Sequence, residues 1–330
     1  MTPAELPIVV IGAGPVGLAA AAHLQRYGLT PLVLEAGDQV GAAMREWGHV
    51  RTFTPWQWIV DSAAEKLLAP TGWTRPEGGV PPTGAAIVRD YLEPLAAALG
   101  DRVRTGVRVL AVSRQGLDKG RTLGRAERPF VLRVSTSDGL AEITARAVID
   151  ASGTWARPNP LGGSGLPAFG EQEAYAAGLL VGPLPDVLGR DRARYAGRRT
   201  LVVGLGHSAA NTLLDLARLA RQEPDTEIVW AIRGTDATRL YGGGAADQLP
   251  DRGRLGTDLR ALVETGRVTQ VTGFTTTALE FGADRAEVTV VGATPAGELR
   301  IGPVHTVVAA TGFRPDLAPL AELRLDLDPG

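Results

Sequence analysis

The apolar positions of the chain begin with LPIVVI at residues 6–11, a continuous run rich in β-branched side chains. Such a run is typical of a strand buried on both faces of a parallel sheet. A glycine-rich turn, GAGPVG at 12–17, follows, and a helix of small residues then ends at Gly28, a residue type that favours helix C-termini. A second apolar run, PLVL at 31–34, ends at Glu35. The pattern predicts a strand–helix–strand unit.

The same pattern returns later in the chain. TLVV at 200–203 predicts a strand, GLGHSA at 204–209 a glycine-rich turn, and EIVWAIR at 227–233 the next strand. The two turns begin 192 positions apart, which indicates an internal duplication of a nucleotide-binding half. The helix after the second turn is predicted to be amphipathic, with apolar Ala210, Leu213, Leu214, Ala217 and Ala220 on one face and Asn211, Thr212, Asp215, Arg218 and Arg221 on the other.

The remaining segments carry weaker patterns. Residues 42–82 are rich in Trp, Pro and Gly and predict loops and short helices, whereas residues 84–99 predict a helix. Residues 157–170 predict a linker, and the basic segment 114–128 predicts a solvated hairpin tip. Further strands are predicted at 103–113, 129–135, 147–153, 268–272, 277–281, 286–291 and 305–312.

Composition narrows the class of protein. The 330 residues suggest roughly two domains of ~100–200 residues each. The 34 basic and 36 acidic residues nearly balance, which argues against a dedicated nucleic-acid binder. The chain has no Cys, which excludes disulfides, thiolate metal sites, Cys nucleophiles and dithiol relays. The N-terminal apolar stretch is short, interrupted by glycine and without a basic leader, so we expect a cytoplasmic protein with no membrane span.

Gly12, Gly14 and Gly17 form the pattern G-x-G-x-x-G between a predicted strand and a predicted helix. The first glycine permits the tight turn, the second lets a pyrophosphate approach the backbone, and the third lets helix and strand pack closely. The helix N-terminus presents N–H groups and a positive dipole end to the phosphates, and Pro15 fits its first turn. Glu35 follows 18 residues after the third glycine, near the ~20 expected for a carboxylate that binds ribose hydroxyls.

The cofactor of this first turn is predicted from charge. A carboxylate such as Glu35 repels a 2′-phosphate, so the site favours FAD or NAD over NADP. The chain carries two similar small-residue turns, ASG at 151–153 and ATG at 310–312. This pair of turns favours FAD.

Gly204, Gly206 and Ala209 give the permitted variant G-x-G-x-x-A, and Ser208 lies within the same turn. The following strand ends here with Arg233, and a guanidinium suits the extra phosphate of NADP. An ordinary surface arginine at a strand end is the alternative. The second turn is therefore predicted to bind NADP.

The four histidines, His23, His49, His207 and His305, show no metal-ligand spacing, so no metal site is predicted. His207 falls in the first turn of the second helix, where a positive charge is disfavoured, and we expect it to be neutral. It either touches the NADP phosphates or serves in capping and packing. His49 is the one histidine that we consider as a substrate contact.

A competing hypothesis concerns the same second turn. LVVGLGHSAA also matches strand, G-x-S-x-A and helix, close to the nucleophile elbow of serine hydrolases. Ser208 would then be the nucleophile, with Asp215 or Asp251 and then His305 in the required chain order. However, no H-G-G-G-type oxyanion segment precedes the serine, and His305 opens a predicted buried strand. The hydrolase hypothesis also leaves the first glycine turn unexplained, so cofactor binding is favoured.

Together these motifs resemble those of two-dinucleotide-binding-domain flavoproteins, in particular flavin-containing monooxygenases and related FAD/NAD(P)-dependent oxidoreductases. The motifs are GAGPVG with Glu35, ASG at 151–153, GLGHSA with Arg233, and ATGFRPD at 310–316. The resemblance implies an α/β fold of two Rossmann-like three-layer domains. It places an NADP-binding domain, residues 161–276, inside a split FAD-binding domain, residues 1–160 and 277–330.

The resemblance also implies roles by position. The first glycine turn and Glu35 would hold the ADP half of FAD, and the segment 41–56 would cover the isoalloxazine. The other residues implied are Val109 at the adenine, Ala151, Ser152, Gly153, Thr311 and Gly312 beside the cofactor, and Trp47, Thr54 and Trp56 at the flavin or substrate. Hydrophobic anchoring of the segment is the alternative for the last three.

Two features depart from the monooxygenase pattern. These enzymes carry F-x-G-x-x-x-H before the second turn, but Phe169 and Gly170 are followed by EQEAY, with no His. Such flavoproteins also end with a further strand and a G-D turn, whereas only 14 residues follow Asp316. We therefore expect the C-terminal part of the FAD-binding domain to be incomplete and FAD to be weakly held or absent.

The resemblance implies an NADPH-dependent FAD oxidoreductase that oxygenates a small soft nucleophile through a flavin hydroperoxide. This chemistry requires no side chain as a general base. Two other functions stay open: a reductase that passes electrons to ferredoxin or a quinone, and a non-catalytic cofactor-binding or redox-sensing protein. A small-molecule substrate is expected, nucleic acid and membrane are not expected partners, and the sequence leaves the oligomeric state open.

Overall fold

The computed structural model describes residues 5–242 and 247–328. The chain forms two compact units. Unit 1 contains the residues up to Ala156 and those from Pro315 onward, and unit 2 is Arg157–Arg314. Unit 2 is thus an insertion, along the chain, within unit 1. The boundaries differ from the expected ones, because residues 277–314, expected in the FAD-binding domain, belong to unit 2.

Unit 1 contains seven described strands and six described α-helices. The strands are β1 (Ile8–Ile11), β2 (Pro31–Leu34), β3 (Val103–Arg104), β4 (Arg108–Arg114), β5 (Phe130–Thr136), β6 (Gly139–Ala145) and β7 (Ala147–Asp150). The helices are α1 (Pro15–Arg26), α2 (Ala42–Glu46), α3 (Trp56–Ile59), α4 (Ser62–Leu68), α5 (Gly84–Ile87) and α6 (Glu93–Leu99), the last two joined by a π-helical turn at Val88–Leu92. The parallel sheet has the order β3–β2–β1–β7, and β4–β5–β6 form an antiparallel sheet.

The parallel sheet of unit 1 is covered on both faces. Val10 and Val33 belong to the core on the helix side, together with Leu18 of α1. Their neighbours along the strands, Val9 among them, face a second core that includes Leu132 of the antiparallel sheet. Unit 1 therefore has three layers, as predicted.

Unit 2 repeats this plan. Its strands are β8 (Leu180–Val181), β9 (Arg199–Val203), β10 (Glu227–Ala231), β11 (Thr269–Val271), β12 (Thr275–Phe281), β13 (Val288–Thr294), β14 (Gly297–Val304) and β15 (Thr306–Ala309). Its described α-helices are α7 (Glu171–Ala176), α8 (Arg192–Tyr195), α9 (His207–Ala220), α10 (Thr238–Tyr241) and α11 (Pro250–Glu264). The parallel sheet has the order β11–β10–β9–β15–β8, and β12–β13–β14 form an antiparallel sheet.

The duplication extends further than the sequence indicates. In each unit a strand, glycine turn, helix and strand are followed by a third parallel strand, a three-stranded antiparallel sheet and a last strand beside the first. The strands β7 and β15 are this last strand, and the turns ASG and ATG follow them. The segment 277–314 belongs to unit 2 because β15 pairs with β9 and the β12–β14 sheet shares a core with it.

The helix α9 is amphipathic as predicted, but its buried face differs in part: Leu214 and Ala220 are only partly buried, and Leu216 and Leu219 are buried in addition. Its buried residues are Ala209, Ala210, Thr212, Leu213, Leu216, Ala217 and Leu219. Thr212, expected on the solvated face, is only 2% exposed. Its hydroxyl donates to the carbonyl oxygen of Ser208 at 2.9 Å, and this hydrogen bond within the helix satisfies the buried polar group. Among the described residues, no helix combines the length and the apolar character needed to cross a bilayer.

The segment 114–128 is the tip of the hairpin formed by β4 and β5, and most of its residues are exposed, as predicted, but Arg125 is an exception. Arg125 is only 7% exposed, and its guanidinium donates to the carbonyl oxygens of Leu117 (2.8 Å), Asp118 (2.8 Å) and Glu322 (2.6 Å). The last of these bonds reaches a residue far along the chain. The basic segment thereby holds the C-terminal part of unit 1, which sequence spacing alone does not reveal.

Replacing Arg125 with methionine is expected to lower the free energy of unfolding by about 2–4 kcal/mol, because three charge-assisted hydrogen bonds from a buried guanidinium are lost. Urea unfolding measures the change. Arg121→Met is the matched control, since Arg121 is exposed in the same segment and its loss should cost less than about 0.5 kcal/mol. Equal effects of the two variants would contradict the assigned role.

Candidate functional site

The first glycine turn lies where three parallel strands of unit 1 end together. The register pairs Ile11 of β1 with Leu34 of β2 and with Asp150 of β7. The carboxyl ends of these strands therefore place the turn at 12–17, Glu35 and the turn at 151–153 at one edge of the sheet. In open α/β sheets this edge is where ligands bind.

Two glycines of this turn are required by geometry. Gly12 has φ +99°, and a Cβ there would lie 2.7 Å from the carbonyl oxygen of Ala151. A Cβ on Gly17 would lie 1.9 Å from the carbonyl oxygen of Gly12, so only glycine lets α1 pack this closely on β1. A Cβ on Gly14, by contrast, would meet nothing within 4 Å. The space beside Gly14 is thus open to a ligand.

Helix α1 begins at Pro15, and no side chain caps its N-terminus at Gly14. The first N–H groups of a helix have no partner within the helix, and the dipole makes this end positive. An uncapped N-terminus of a 12-residue helix beside an open glycine suits a pyrophosphate.

Glu35 stabilises the same turn from the end of β2. Its carboxylate accepts hydrogen bonds from the N–H of Ala13 (2.7 Å) and from the N–H of Gly37 (2.9 Å). Each carboxylate oxygen accepts one bond and keeps further acceptor capacity. The side chain is partly exposed, so vicinal ribose hydroxyls can donate to it. The residues present fit the adenosine half of a dinucleotide.

The other positions predicted in unit 1 fall into two groups. The turn of Ala151, Ser152 and Gly153 directly abuts Gly12, and the N–H of Ala151 donates to the carbonyl oxygen of Ile11 at 2.9 Å. Val109 follows closely on Val107, whose N–H donates to the carbonyl oxygen of Glu35 at 2.8 Å. Both observations bring these residues near the carboxyl edge of the sheet.

The segment 41–56 begins beside the same turn, since the N–H of Gly41 donates to the carbonyl oxygen of Ala13 at 3.0 Å. Trp56 is 5% exposed within the helix-side core, and Trp47 is partly buried with its ring against Gly84. The carbonyl oxygen of Thr54 accepts from the hydroxyl of Thr52. Burial of Trp56 favours anchoring of the segment over contact with a ligand.

The second glycine turn has the same placement in unit 2. Val203 of β9 pairs with Ala231 of β10 and with Ala309 of β15, so the turn at 204–209 lies at the carboxyl edge of this sheet. Gly204 has φ +135°, and a Cβ there would lie 2.0 Å from the carbonyl oxygen of Ala310. Gly206, which precedes the 14-residue helix α9, has no side-chain cap and open space beside it. This second edge also fits a pyrophosphate.

Arg233 and His207 are the basic residues that were predicted at the second turn. Arg233 is exposed two residues beyond β10, and it forms no ion pair with any residue in the ranges 5–242 and 247–328. Desolvation lowers the pKa of His207, and the nearby Arg252 lowers this pKa further, while Asp247 opposes the shift. Both the burial of His207 and the nearby Arg252 therefore favour the neutral imidazole. Arg233 remains the side chain suited to a 2′-phosphate.

The turn at 310–312 lies beside the second glycine turn and not within unit 1. Gly204 abuts Ala310, and the hydroxyl of Thr311 donates to the carbonyl oxygen of Asn159 at 2.5 Å. The N–H of Asn159 donates in return to the carbonyl oxygen of Gly312 at 2.9 Å. Thr311 and Gly312 therefore occupy in unit 2 the place that the turn at 151–153 occupies in unit 1. Asn159 was not predicted as part of this turn, because it lies in the predicted linker at 157–170.

The nucleophile-elbow hypothesis for Ser208 is wrong on geometry. Ser208 lies beyond the carboxyl end of β9, whereas His305 precedes β15 at the opposite edge, where its N–H donates to the carbonyl oxygen of Arg199. The paired residues of β9 and β15 separate these edges by roughly 10 Å at ~3.3 Å per residue. His305 contacts Glu287 at 3.2 Å instead. In the described ranges, no three His, Asp or Glu side chains cluster as metal ligands would.

Trp230 is a residue of this site that was not predicted from the sequence. Trp230 on β10 is fully buried, and its indole Nε1–H donates to the carbonyl oxygen of Gly204 at 2.7 Å. In the sequence it is simply the aromatic member of an apolar strand. A fully apolar strand gives no sign that one ring carries a hydrogen bond to the turn.

Comparisons with known proteins agree with this geometry. The ferredoxin–NADP reductase of Gluconacetobacter diazotrophicus is 26% identical over 328 residues, which cover 97% of this chain and 75% of that protein. Bacillithiol disulfide reductase from Bacillus cereus has a similar fold, with a TM-score of 0.73 at 20% identity over 98% of this chain and 83% of that one. A variant of the flavin monooxygenase from Stenotrophomonas maltophilia is 26% identical, with a TM-score of 0.60 and coverage of 97% and 82%.

A family profile described as pyridine nucleotide-disulphide oxidoreductase matches residues 9–329. This match spans both glycine turns, Glu35 and Arg233, and it confirms the resemblance and the oxidoreductase class predicted from those motifs. The two Rossmann-like α/β units confirm the predicted fold class. The chain belongs to the pyridine nucleotide-disulphide oxidoreductase family.

Proposed function

We propose that this chain is an NADPH-dependent FAD oxidoreductase in which unit 1 binds FAD and unit 2 binds NADPH. The proposal is carried by the two uncapped, glycine-lined helix N-termini, of which one lies beside Glu35 and the other near Arg233. A carboxylate at the strand end suits a free ribose, and a guanidinium suits a phosphorylated one. FAD, when bound, supplies the redox chemistry by accepting a hydride from NADPH and passing electrons on.

The chain's own residues have binding and orienting roles. The N-termini of α1 and α9 would hold the two pyrophosphates, Glu35 would hold the adenosine ribose of FAD, and Arg233 would hold the 2′-phosphate of NADPH. No described side chain is needed to move a proton in hydride transfer. With no Cys in the chain, a dithiol relay to a disulfide substrate is excluded.

The proposal also specifies the class of molecule that accepts the electrons. We favour a protein carrier such as ferredoxin, because the curated relatives that match nearly the whole chain are ferredoxin–NADP reductases. Oxygenation of a small soft nucleophile, predicted from the sequence, is the second candidate. It is supported by the 26% identity to a flavin monooxygenase, although Phe169 and Gly170 are followed by no His.

The visible spectrum of the purified protein and its change on anaerobic addition of NADPH test the cofactor part. Flavin bands that bleach with NADPH and much less with NADH are expected. Protein with NADP affinity but no flavin, even after loading with FAD, would favour the non-catalytic alternative.

A second experiment tests the electron acceptor. NADPH oxidation that requires added ferredoxin supports the reductase, and oxygen uptake that requires an added amine or thioether supports the monooxygenase.

Arg233→Gln is expected to lower the preference for NADPH over NADH by about 10–100-fold, because a charge-assisted hydrogen bond to the 2′-phosphate is lost. The kcat/KM values for both coenzymes measure the change. Arg221→Gln is the control, since Arg221 caps the far end of α9 and should leave the preference unchanged. A wild-type preference in the Arg233 variant would show that another group binds the phosphate.

A further inference from the structure

The two glycine turns differ in the surroundings of the carbonyl group of their first glycine, which is Gly12 in unit 1 and Gly204 in unit 2. In unit 1, the position where a Cβ of Gly17 would lie is 1.9 Å from the carbonyl oxygen of Gly12. This oxygen therefore points into the contact between α1 and the turn, and glycine at position 17 is what leaves room for it. The residue of β2 that pairs with Val10 is Val33, whose side chain has no donor to offer.

In unit 2 the residues at the positions of Gly17 and Val33 are both different: they are Ala209 and Trp230. Ala209 stands where unit 1 has Gly17, and its Cβ is fully buried. Both helices begin three residues after the first glycine, at Pro15 and at His207, so the two turns are equivalent in length. A carbonyl oriented as in the first turn would collide with the Cβ of Ala209. The carbonyl of Gly204 must therefore point elsewhere.

Trp230 offers the carbonyl of Gly204 a hydrogen-bond donor in a different direction. It pairs with Val202 in the register, so it is the counterpart of Val33. Its neighbours Val229 and Ala231 face the core shared with the antiparallel sheet, so the indole lies on the opposite face of β10. There its N–H binds the carbonyl oxygen of Gly204 at 2.7 Å, while the N–H of Gly204 donates to the carbonyl oxygen of Ala231 at 3.1 Å.

We propose that Trp230 is a positioning residue for the pyridine nucleotide. Its indole N–H holds the carbonyl of Gly204 in a direction that leaves room for the Cβ of Ala209, and it thereby sets the backbone that leads into the helix N-terminus at Gly206. Trp230 thereby shapes the cradle for the pyrophosphate of NADPH without touching the ligand. The inference rests on the proposed function, in which unit 2 binds NADP.

Trp230→Phe tests the proposal, because it removes the N–H and keeps most of the aromatic volume. The dissociation constant for NADP⁺, measured by calorimetry, is expected to rise about tenfold, while the FAD content stays that of the wild type. Ala209→Gly in the same chain is expected to restore much of the affinity, because glycine lets the carbonyl turn toward α9 as in the first turn. A merely structural role of Trp230 would not produce this rescue.

Trp58→Phe is the matched control, since Trp58 is 73% exposed in unit 1 and should leave NADP⁺ binding unchanged. If Trp230→Phe is insoluble, benzothienylalanine at position 230 makes the same test, because it keeps the ring shape and lacks the N–H. Wild-type affinity in the variant, equal loss of FAD and NADP⁺, or no rescue by Ala209→Gly would overturn the proposal. Absence of NADP⁺ binding in the wild-type protein would instead refute the proposed function.

Discussion

Replacing Gly204 with alanine is expected to lower kcat/KM for NADPH by a factor of at least several hundred while FAD stays bound. The added Cβ would lie 2.0 Å from the carbonyl oxygen of Ala310, and the residue has φ +135°, which side chains rarely adopt. Backbone strain of this kind costs about 1–3 kcal/mol, and the overlap adds to it, so the turn must open. Each ~1.4 kcal/mol lost from transition-state binding reduces the rate tenfold.

Gly206→Ala tests whether the cofactor binds at this turn, because it should weaken NADPH binding without changing the stability of unit 2. A Cβ on Gly206 meets no protein atom within 4 Å, and the residue has φ −98°, so the midpoint of thermal unfolding should match that of the wild type. NADPH binding should nevertheless weaken, because the methyl group occupies the space that a pyrophosphate needs. A Gly206 variant that binds NADPH normally would contradict the placement of the cofactor at this turn. Loss of FAD in the Gly204 variant would indicate a general folding defect.

The sequence was sufficient for the parts of the site that depend on local backbone geometry. Gly12, Gly17 and Gly204 are glycines for reasons that operate within a few residues, namely a positive φ and close packing of helix on strand. The strand ends at Glu35 and Arg233 could be located because continuous apolar runs mark buried parallel strands. These local rules predicted both edges on which the proposed cofactors lie.

The remaining features depend on pairings between distant residues. β15 resembles β7 in sequence, so its existence was predictable, but only the folded chain shows that it pairs with β9 and belongs to unit 2. β6 was missed because its first four residues are exposed and carry no apolar alternation. The hydrogen bond from Trp230 to Gly204 joins residues 26 positions apart and leaves no trace in the hydrophobic pattern.

Glu35→Gln is expected to weaken FAD binding by about 100-fold. In the folded protein both carboxylate oxygens accept from backbone N–H groups, those of Ala13 and Gly37. A glutamine offers only one acceptor oxygen, so one of these N–H groups would face an NH₂ donor, and the charge that attracts the ribose hydroxyls is lost. Loss of hydrogen bonds to a charged group costs about 1.5–3 kcal/mol each. Titration of the apoprotein with FAD, followed by flavin fluorescence, measures the affinity.

The control for this variant is Glu65→Gln, which makes the same chemical change on an exposed carboxylate of unit 1. Glu65 pairs with Arg75 at 3.1 Å with both side chains over a third exposed, and such pairs contribute little. FAD affinity should therefore be unchanged in the Glu65 variant. If the Glu35 variant loses NADP⁺ affinity to the same extent as FAD affinity, the effect is on folding and not on one cradle. If its FAD affinity is that of the wild type, the ribose of FAD is bound elsewhere, and the assignment of unit 1 to FAD loses its chemical basis.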